Sequence, residues 1–159
     1  MNEHYPQKCW SQVQQGEALP PLHFPIDYAR IILNAATTWD YFPGHHNPVY
    51  ARAQGQPDIY ASTIFFHGLI DRFVTDWGGP LTLVRRRRMR MVASAHPGDT
   101  LSVEGRIVRA YRETELGLVD LEITLSTARG LCVPASVCAR LPLDQDECPS
   151  APTTKTTTP

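Results

Sequence analysis

Asp40-Tyr41-Phe42-Pro43-Gly44-His45-His46-Asn47-Pro48 brings a carboxylate and two imidazoles into one short stretch. A carboxylate and an imidazole that share a single water molecule form a general acid–base device. Imidazole is the side chain that titrates nearest neutrality. On an uninterrupted helix, residues five apart do not face each other. Here Pro43-Gly44 intervenes between Asp40 and His45. The residue before a proline is pushed out of the α region, so a helix carrying Asp40 must stop and the chain can reverse. The reversal can bring Asp40 and His45 together across one water. A carboxylate at a helix end and a His-His pair in a loop are also common as solvated residues, so spacing alone leaves both readings standing.

The elements on either side are suited to positioning that loop. After Pro25, Asp27 is a candidate N-cap, and Tyr28, Ile31, Ile32, Ala35 and Trp39 form one stripe at the helical period. Past the loop, Asn47 and Pro48 open a short helix toward Gln54, with Gly55 supplying a left-handed terminus. From Ser62 to Trp77 apolar residues occupy most sides, which predicts a helix surrounded by protein, and Gly78-Gly79-Pro80 stops it. After Pro80 the period switches to two. Segments at 81–93, 101–107, 119–125 and 131–141 predict four strands of an antiparallel meander with one buried face. Pro134 inside the last of them predicts an edge position or a bulge. One apolar helix followed by a meander asks for a sheet curled around the helix, an α+β architecture in a single domain.

The chain has 159 residues, enough for one compact domain and too few for two ordinary ones. Residues 1–20 are polar and Gln-rich and read as a flexible arm, 21–142 as the folded domain, and 143–159 as a disordered tail. Fifteen Lys and Arg against sixteen Asp and Glu argue against a nucleic-acid binder. No apolar run approaches the ~20 residues of a membrane span, and the N-terminus has no apolar segment of a secretory signal. Cys9, Cys132, Cys138 and Cys148 form no Cys-x-x-Cys pair, so no metal site is expected and a cytoplasmic chain with reduced thiols is the default.

Asp40-Tyr41-x-Pro43-x-His45, followed by a helix start and Tyr50-Ala51-Arg52-Ala53-x-Gly55, resembles the MaoC-type (R)-specific enoyl-CoA hydratases over roughly residues 22–141. Asp58-Ile59-Tyr60, Gly68-Leu69 and the stretch from Val74 to Pro80 are most similar to the small hydratase subunit of actinobacterial steroid side-chain catabolism. The resemblance implies the hotdog fold, a long central helix wrapped by an antiparallel sheet. It puts Asp40 and His45 on the catalytic aspartate and histidine. Two positions depart from the family: its Asn-Pro is Phe42-Pro43 here, which removes an amide that pins the loop, and its usual Asp is Asn47. The activity implied is addition of water across a trans-2-enoyl thioester carrying a bulky acyl group, or its reverse. Coenzyme A then enters as part of the substrate, with no separate cofactor. A 3-hydroxyacyl thioester dehydratase, a thioesterase on the same fold and a non-catalytic subunit are the rival readings.

An enolate developing on the thioester oxygen needs donors, and a helix N-terminus offers unpaired N–H groups. His67-Gly68 resembles the family's His-Gly pair, but that glycine opens the central helix and Gly68 lies inside it. The donor is therefore expected at Ala61, Ser62 or Thr63, with Gly68 as a close-packing position. Arg85–Arg88 and Arg90 form the one charge block. Arg86, Arg88 and Arg90 share one strand face, and Arg86 and Arg88 are candidates for the phosphates of coenzyme A. The solvated-edge alternative stays open. The resemblance also implies pairing of two hotdogs, in a homodimer or a heteromer with a second MaoC-like subunit.

Overall fold

A computed structural model describes residues 6–143, so the tail beyond 143 and the first five residues lie outside the described residues. Helix α1 spans Tyr28–Thr38, and Asp27 caps it by accepting from the Arg30 N–H at 2.7 Å. A 3-10 turn follows at Pro43–His45. Helix α2 spans Pro48–Ala53 and is capped by Asn47, whose Oδ1 accepts from the Val49 and Tyr50 N–H groups, both at 3.0 Å. Of the apolar stripe on α1, Ile31 and Ala35 are buried while Tyr28, Ile32 and Trp39 stay exposed.

Helix α3, Thr63–Gly78, starts where the counting back from Gly78-Gly79 puts it. Its N-cap Ser62 accepts from the Phe65 N–H at 3.2 Å. Phe66, Leu69, Ile70, Phe73, Val74 and Trp77 are all buried. Fully burying each large apolar side chain is worth about 1.5–3 kcal/mol, which makes α3 the anchor of the core.

Five strands wrap this helix: β1 (Leu22–Pro25), β2 (Leu83–Met89), β3 (Thr100–Glu113), β4 (Leu116–Thr127) and β5 (Gly130–Leu141). The sheet is antiparallel in the order β1-β3-β4-β5-β2. The simple four-strand meander is thus corrected. β3, β4 and β5 form a meander, but the strand after α3 pairs with β5, and short β1 takes the other edge. Residues 90–99 make this possible, because they are too long for a tight hairpin and cross past the start of α3, where the Ala61 N–H bonds the Ala95 carbonyl. Along β4, Val119, Leu121, Ile123 and Leu125 are at most 1% exposed, as the period-two pattern requires. Gly105 on β3 lies under Phe73, where an added Cβ would sit 2.8 Å from the ring, so α3 and β3 approach closely there.

Pro134 lies in β5, which is interior. Its carbonyl accepts from the Arg90 N–H just past the end of β2, so its missing N–H falls where β2 has run out. The register shift between Leu125 and Ser126 leaves Cys132 as the extra residue two positions away.

The stretch read as a flexible arm is docked over its described part. Gly16 and Leu19 donate to the Ile107 and Gly105 carbonyls at 2.8 Å, and the Ile107 N–H returns to Glu17 at 2.9 Å. The Trp10 indole N–H bonds the Leu118 carbonyl, and Val13 and Leu19 are buried. The bonds of Gly16, Glu17 and Leu19 cover β3 beyond the end of β1. Backbone pairing of this kind leaves no hydrophobic period to read. Cys132 and Cys138 are buried and free, whereas Cys9 is disulfide-bonded, which departs from the expectation of reduced thiols. Among the described residues no helix is long and apolar enough to cross a membrane.

Candidate active site

The reversal after α1 begins at Trp39, which takes a left-handed conformation (φ 58°). The N–H groups of Trp39 and Asp40 both converge on the Ala35 carbonyl. The chain then enters the 3-10 turn, and His45 comes back beside the carboxylate. Asp40 Oδ2 lies 3.5 Å from His45 Nε2. His45 is 7% exposed, and the Asp40 side chain is 24% exposed. One member of the pair is therefore enclosed and the other reaches the surface.

The other ring nitrogen fixes the chemistry. His45 Nδ1 lies 2.7 Å from the Tyr60 carbonyl, and a carbonyl can only accept, so Nδ1 carries the proton. A neutral His45 then presents an unprotonated Nε2 toward Asp40. The Tyr60 N–H in turn donates to the Gly44 carbonyl at 3.2 Å. The reversal is thus stitched by two bonds to the residues leading into α3. Gly44 is needed for this approach, since a Cβ there would lie 2.6 Å from both Phe42 Cε1 and the Tyr60 hydroxyl.

Phe42, which stands where an amide was expected to pin the loop, holds it by packing. Its ring meets His45 edge-on at 5.4 Å and Tyr50 at 5.6 Å, and Tyr60 meets His45 at 5.2 Å from another side. Burial, reinforced by the nearby Tyr50 hydroxyl, pushes the Tyr60 phenol up, so it stays protonated at neutral pH. His46 turns out to solvent, with Nε2 3.2 Å from the Tyr41 carbonyl.

Three contributors escaped the sequence reading. The Tyr60 carbonyl is backbone and carries no side-chain signal. Asn34 on α1 accepts from the Ser62 hydroxyl at 3.0 Å, tying the helix that leads to Asp40 to the cap of α3. Its signal was a polar residue between Ile31 and Ala35, on the buried side of the helix. His96 Nδ1 lies 3.1 Å from the Ile59 carbonyl, so two imidazoles hold consecutive carbonyls ahead of α3. The Asp99 side chain accepting from the His96 N–H three residues earlier marked that turn.

The expected substrate-binding residues are dispersed. The Ala61 N–H is spent on Ala95, and the Ser62 hydroxyl is spent on Asn34 and the Phe65 N–H. Of the four N–H groups that α-helix geometry leaves without a carbonyl partner at this end, that of Phe65 goes to the Ser62 hydroxyl, and those of Thr63 and Ile64 belong to exposed residues. Gly68 is exposed, and an added Cβ would meet nothing within 4 Å, which corrects its reading as a close-packing position. Arg86 and Arg88 pair with Cys138 and Ser136 on the sheet face away from α3, so the chain does not bring them to Asp40 and His45. Among the described residues no group of three His, Cys, Asp or Glu side chains could hold a metal ion.

No family-level profile matches the chain. The 3-oxo-4,17-pregnadiene-20-carboxyl-CoA hydratase beta subunit of Mycobacterium tuberculosis is 30% identical over 122 residues, spanning 77% of this chain and 92% of that subunit. The solved ChsH1-ChsH2 complex from Mycobacterium tuberculosis superposes with a TM-score of 0.78 at 28% identity, over 82% of this chain and 99% of that one. The fold is shared as well with the R-hydratase PhaJ1 from Pseudomonas aeruginosa, at a TM-score of 0.77, 19% identity and 86% coverage of each chain. A hotdog architecture and a relative 30% identical over 92% of its own length make the chain a member of the MaoC-like hydratase family.

Proposed function

We propose that the chain is an enoyl-thioester hydratase in which Asp40 and His45 hold the attacking water. The observation that carries this reading is the 3.5 Å approach of Asp40 Oδ2 to His45 Nε2, with Nδ1 committed to a carbonyl. A carboxylate and an unprotonated Nε2 are both acceptors, so a water between them donates to both and points a lone pair away from them. Its oxygen bonds C3 while the pair takes one water proton, and the pair returns a proton to C2. Both side chains end as they began, and the same steps reversed eliminate water. The Thr63 and Ile64 N–H groups are the donors for charge building on the thioester oxygen. The substrate is an acyl-CoA thioester with a bulky acyl group. In support, the elements that carry the pair leave Leu33, Trp39, Tyr41 and Phe42 exposed, and the start of α3 leaves Ile64 exposed. The chain works with a second hotdog subunit, a reading supported by its likeness to a chain of the two-protein ChsH1-ChsH2 complex.

Asp40→Asn and His45→Ala test this in the assembly in which the protein is active, by following loss of the enoyl absorbance. Each is expected to lower kcat by at least ~10²-fold with an unchanged far-UV spectrum, the usual worth of a positioned acid or base. Near wild-type turnover in both variants removes the mechanism, and release of free thiol from acyl-CoA replaces it with a thioesterase.

A further inference from the structure

We infer that β2 is an interface strand whose charge rejects a second copy of this chain and selects a different hotdog chain bearing carboxylates on its facing edge. The inference rests on the proposed two-subunit reading and says what sort of chain the partner is.

β2 is an edge of the sheet, with β5 on one side and no strand on the other among the described residues. Between Leu83 and Met89 it carries Arg85, Arg86, Arg87 and Arg88 and no acidic residue, and Arg90 follows. Arg87 turns toward α3, where its Nη1 donates to the His67 carbonyl and pairs with Asp71. Arg85, Arg86, Arg88 and Arg90 are exposed, and none of them has an ion-pair partner among the described residues. Two strands in from the edge, the carboxylate of Glu122 is bonded to Arg106, and Asp120 sits opposite Cys138, the strand partner of Arg86, without an ion pair to it. Two antiparallel copies of β2 in any register that overlaps their Arg85–Arg88 runs set guanidinium directly opposite guanidinium. Like charges directly opposite across strands are destabilising.

A charged edge also serves simply to prevent pairing. The flanks of this one argue for a partner. Leu81 and Leu83 at its start are 45% and 55% exposed, and Ile64 on α3 is 43% exposed. At Gly68 the α3 surface has room for an added Cβ with nothing within 4 Å. Arg87 links that helix face to the strand, so edge and helix make one continuous surface. Apolar flanks around an uncompensated cationic strip fit a neighbour that brings aliphatic contacts at the flanks and Asp or Glu at alternate positions between them.

The chain itself supplies the probe. The variant Arg85→Glu/Arg86→Glu/Arg88→Glu carries the complementary edge on an otherwise identical protein. In sedimentation velocity at matched concentration, wild type alone and variant alone are expected to run as monomers. Their equimolar mixture is expected to form a 1:1 dimer that weakens at least ~10-fold in high salt. A wild-type dimer overturns the inference, as does a mixture that behaves as the sum of its components. Should the Glu variant lose the wild-type far-UV spectrum, Arg85→Gln/Arg86→Gln/Arg88→Gln replaces it. That variant is expected to self-associate where wild type does not, and its failure to do so is equally decisive. No turnover is measured, so either result leaves the Asp40–His45 reading to its own test.

Discussion

The reversal at residues 39–47 and the strand at Leu83–Met89 each gather ionisable side chains in a short stretch, and they are finished to different degrees. In the first, the His45 imidazole is bonded to the Tyr60 carbonyl, flanked by two aromatic rings, and tied through Gly44 to the segment before α3. In the second, the guanidinium groups of Arg85, Arg86 and Arg88 stand exposed on an edge, with that of Arg90 just beyond it. Reactive geometry must be held within fractions of an ångström, so the chain builds it from its own hydrogen bonds. A recognition strand can wait for its counterpart. The difference predicts steep functional penalties for small changes at the reversal and almost no folding penalty for large changes at the edge.

Gly44→Ala is the largest expected effect. The added methyl falls 2.6 Å from the Phe42 ring and the Tyr60 hydroxyl, so the 3-10 turn must shift and carry His45 with it. Overpacking of this kind costs about 1–3 kcal/mol. Displacing a catalytic group by about an ångström can lower turnover ~10²-fold. Turnover and the denaturant midpoint of the same preparation measure both. Wild-type turnover in Gly44→Ala would show that the reversal is less tightly determined than its contacts indicate.

Ser62→Ala comes next. It deletes the cap of α3 and leaves Asn34 without its donor, so unfolding free energy should fall by about 1–2 kcal/mol. Ser62→Thr keeps the hydroxyl and should recover most of that loss. If both substitutions cost the same, the hydroxyl is not what joins α1 to α3.

Much of this scaffold was legible because it is written in local signals. The caps at Asp27 and Asn47, the stop at Gly78-Gly79 and the alternation along β4 each name their own structure. The Asp40–His45 meeting followed from Pro43-Gly44 breaking the helix between them. What failed depends on pairing at a distance. Nothing local says that β2 joins β5 instead of β3, or that the polar stretch before Leu22 bonds to the edge of β3. Which way Arg86 and Arg88 face was illegible for a related reason: period two puts them on one face of a strand and does not say which face meets the helix.

Trp39→Gly probes the strain stored beside the pair. A non-glycine residue in the left-handed region costs on the order of 1 kcal/mol, and this indole is 78% exposed, so little packing offsets it. The substitution is expected to raise unfolding free energy by about 0.5–1 kcal/mol while raising KM for a bulky acyl thioester. A loss of stability would mean that the tilted contact with Tyr41 outweighs the backbone strain.

Arg86→Gln/Arg88→Gln carries the smallest expected change and isolates the edge. Both side chains are exposed and neither has an ion-pair partner among the described residues, so neither contributes a contact that folding needs. Surface substitutions without such contacts stay within about 0.5 kcal/mol. Removing two of four neighbouring positive charges should, if anything, relieve self-repulsion along β2. Thermal unfolding of the double variant and wild type in low and high salt separates the two contributions: a small gain in low salt that vanishes in high salt is electrostatic relief. A loss above 1 kcal/mol in both salts would instead make these arginines structural, and the strand would then be finished within the chain just as the reversal is.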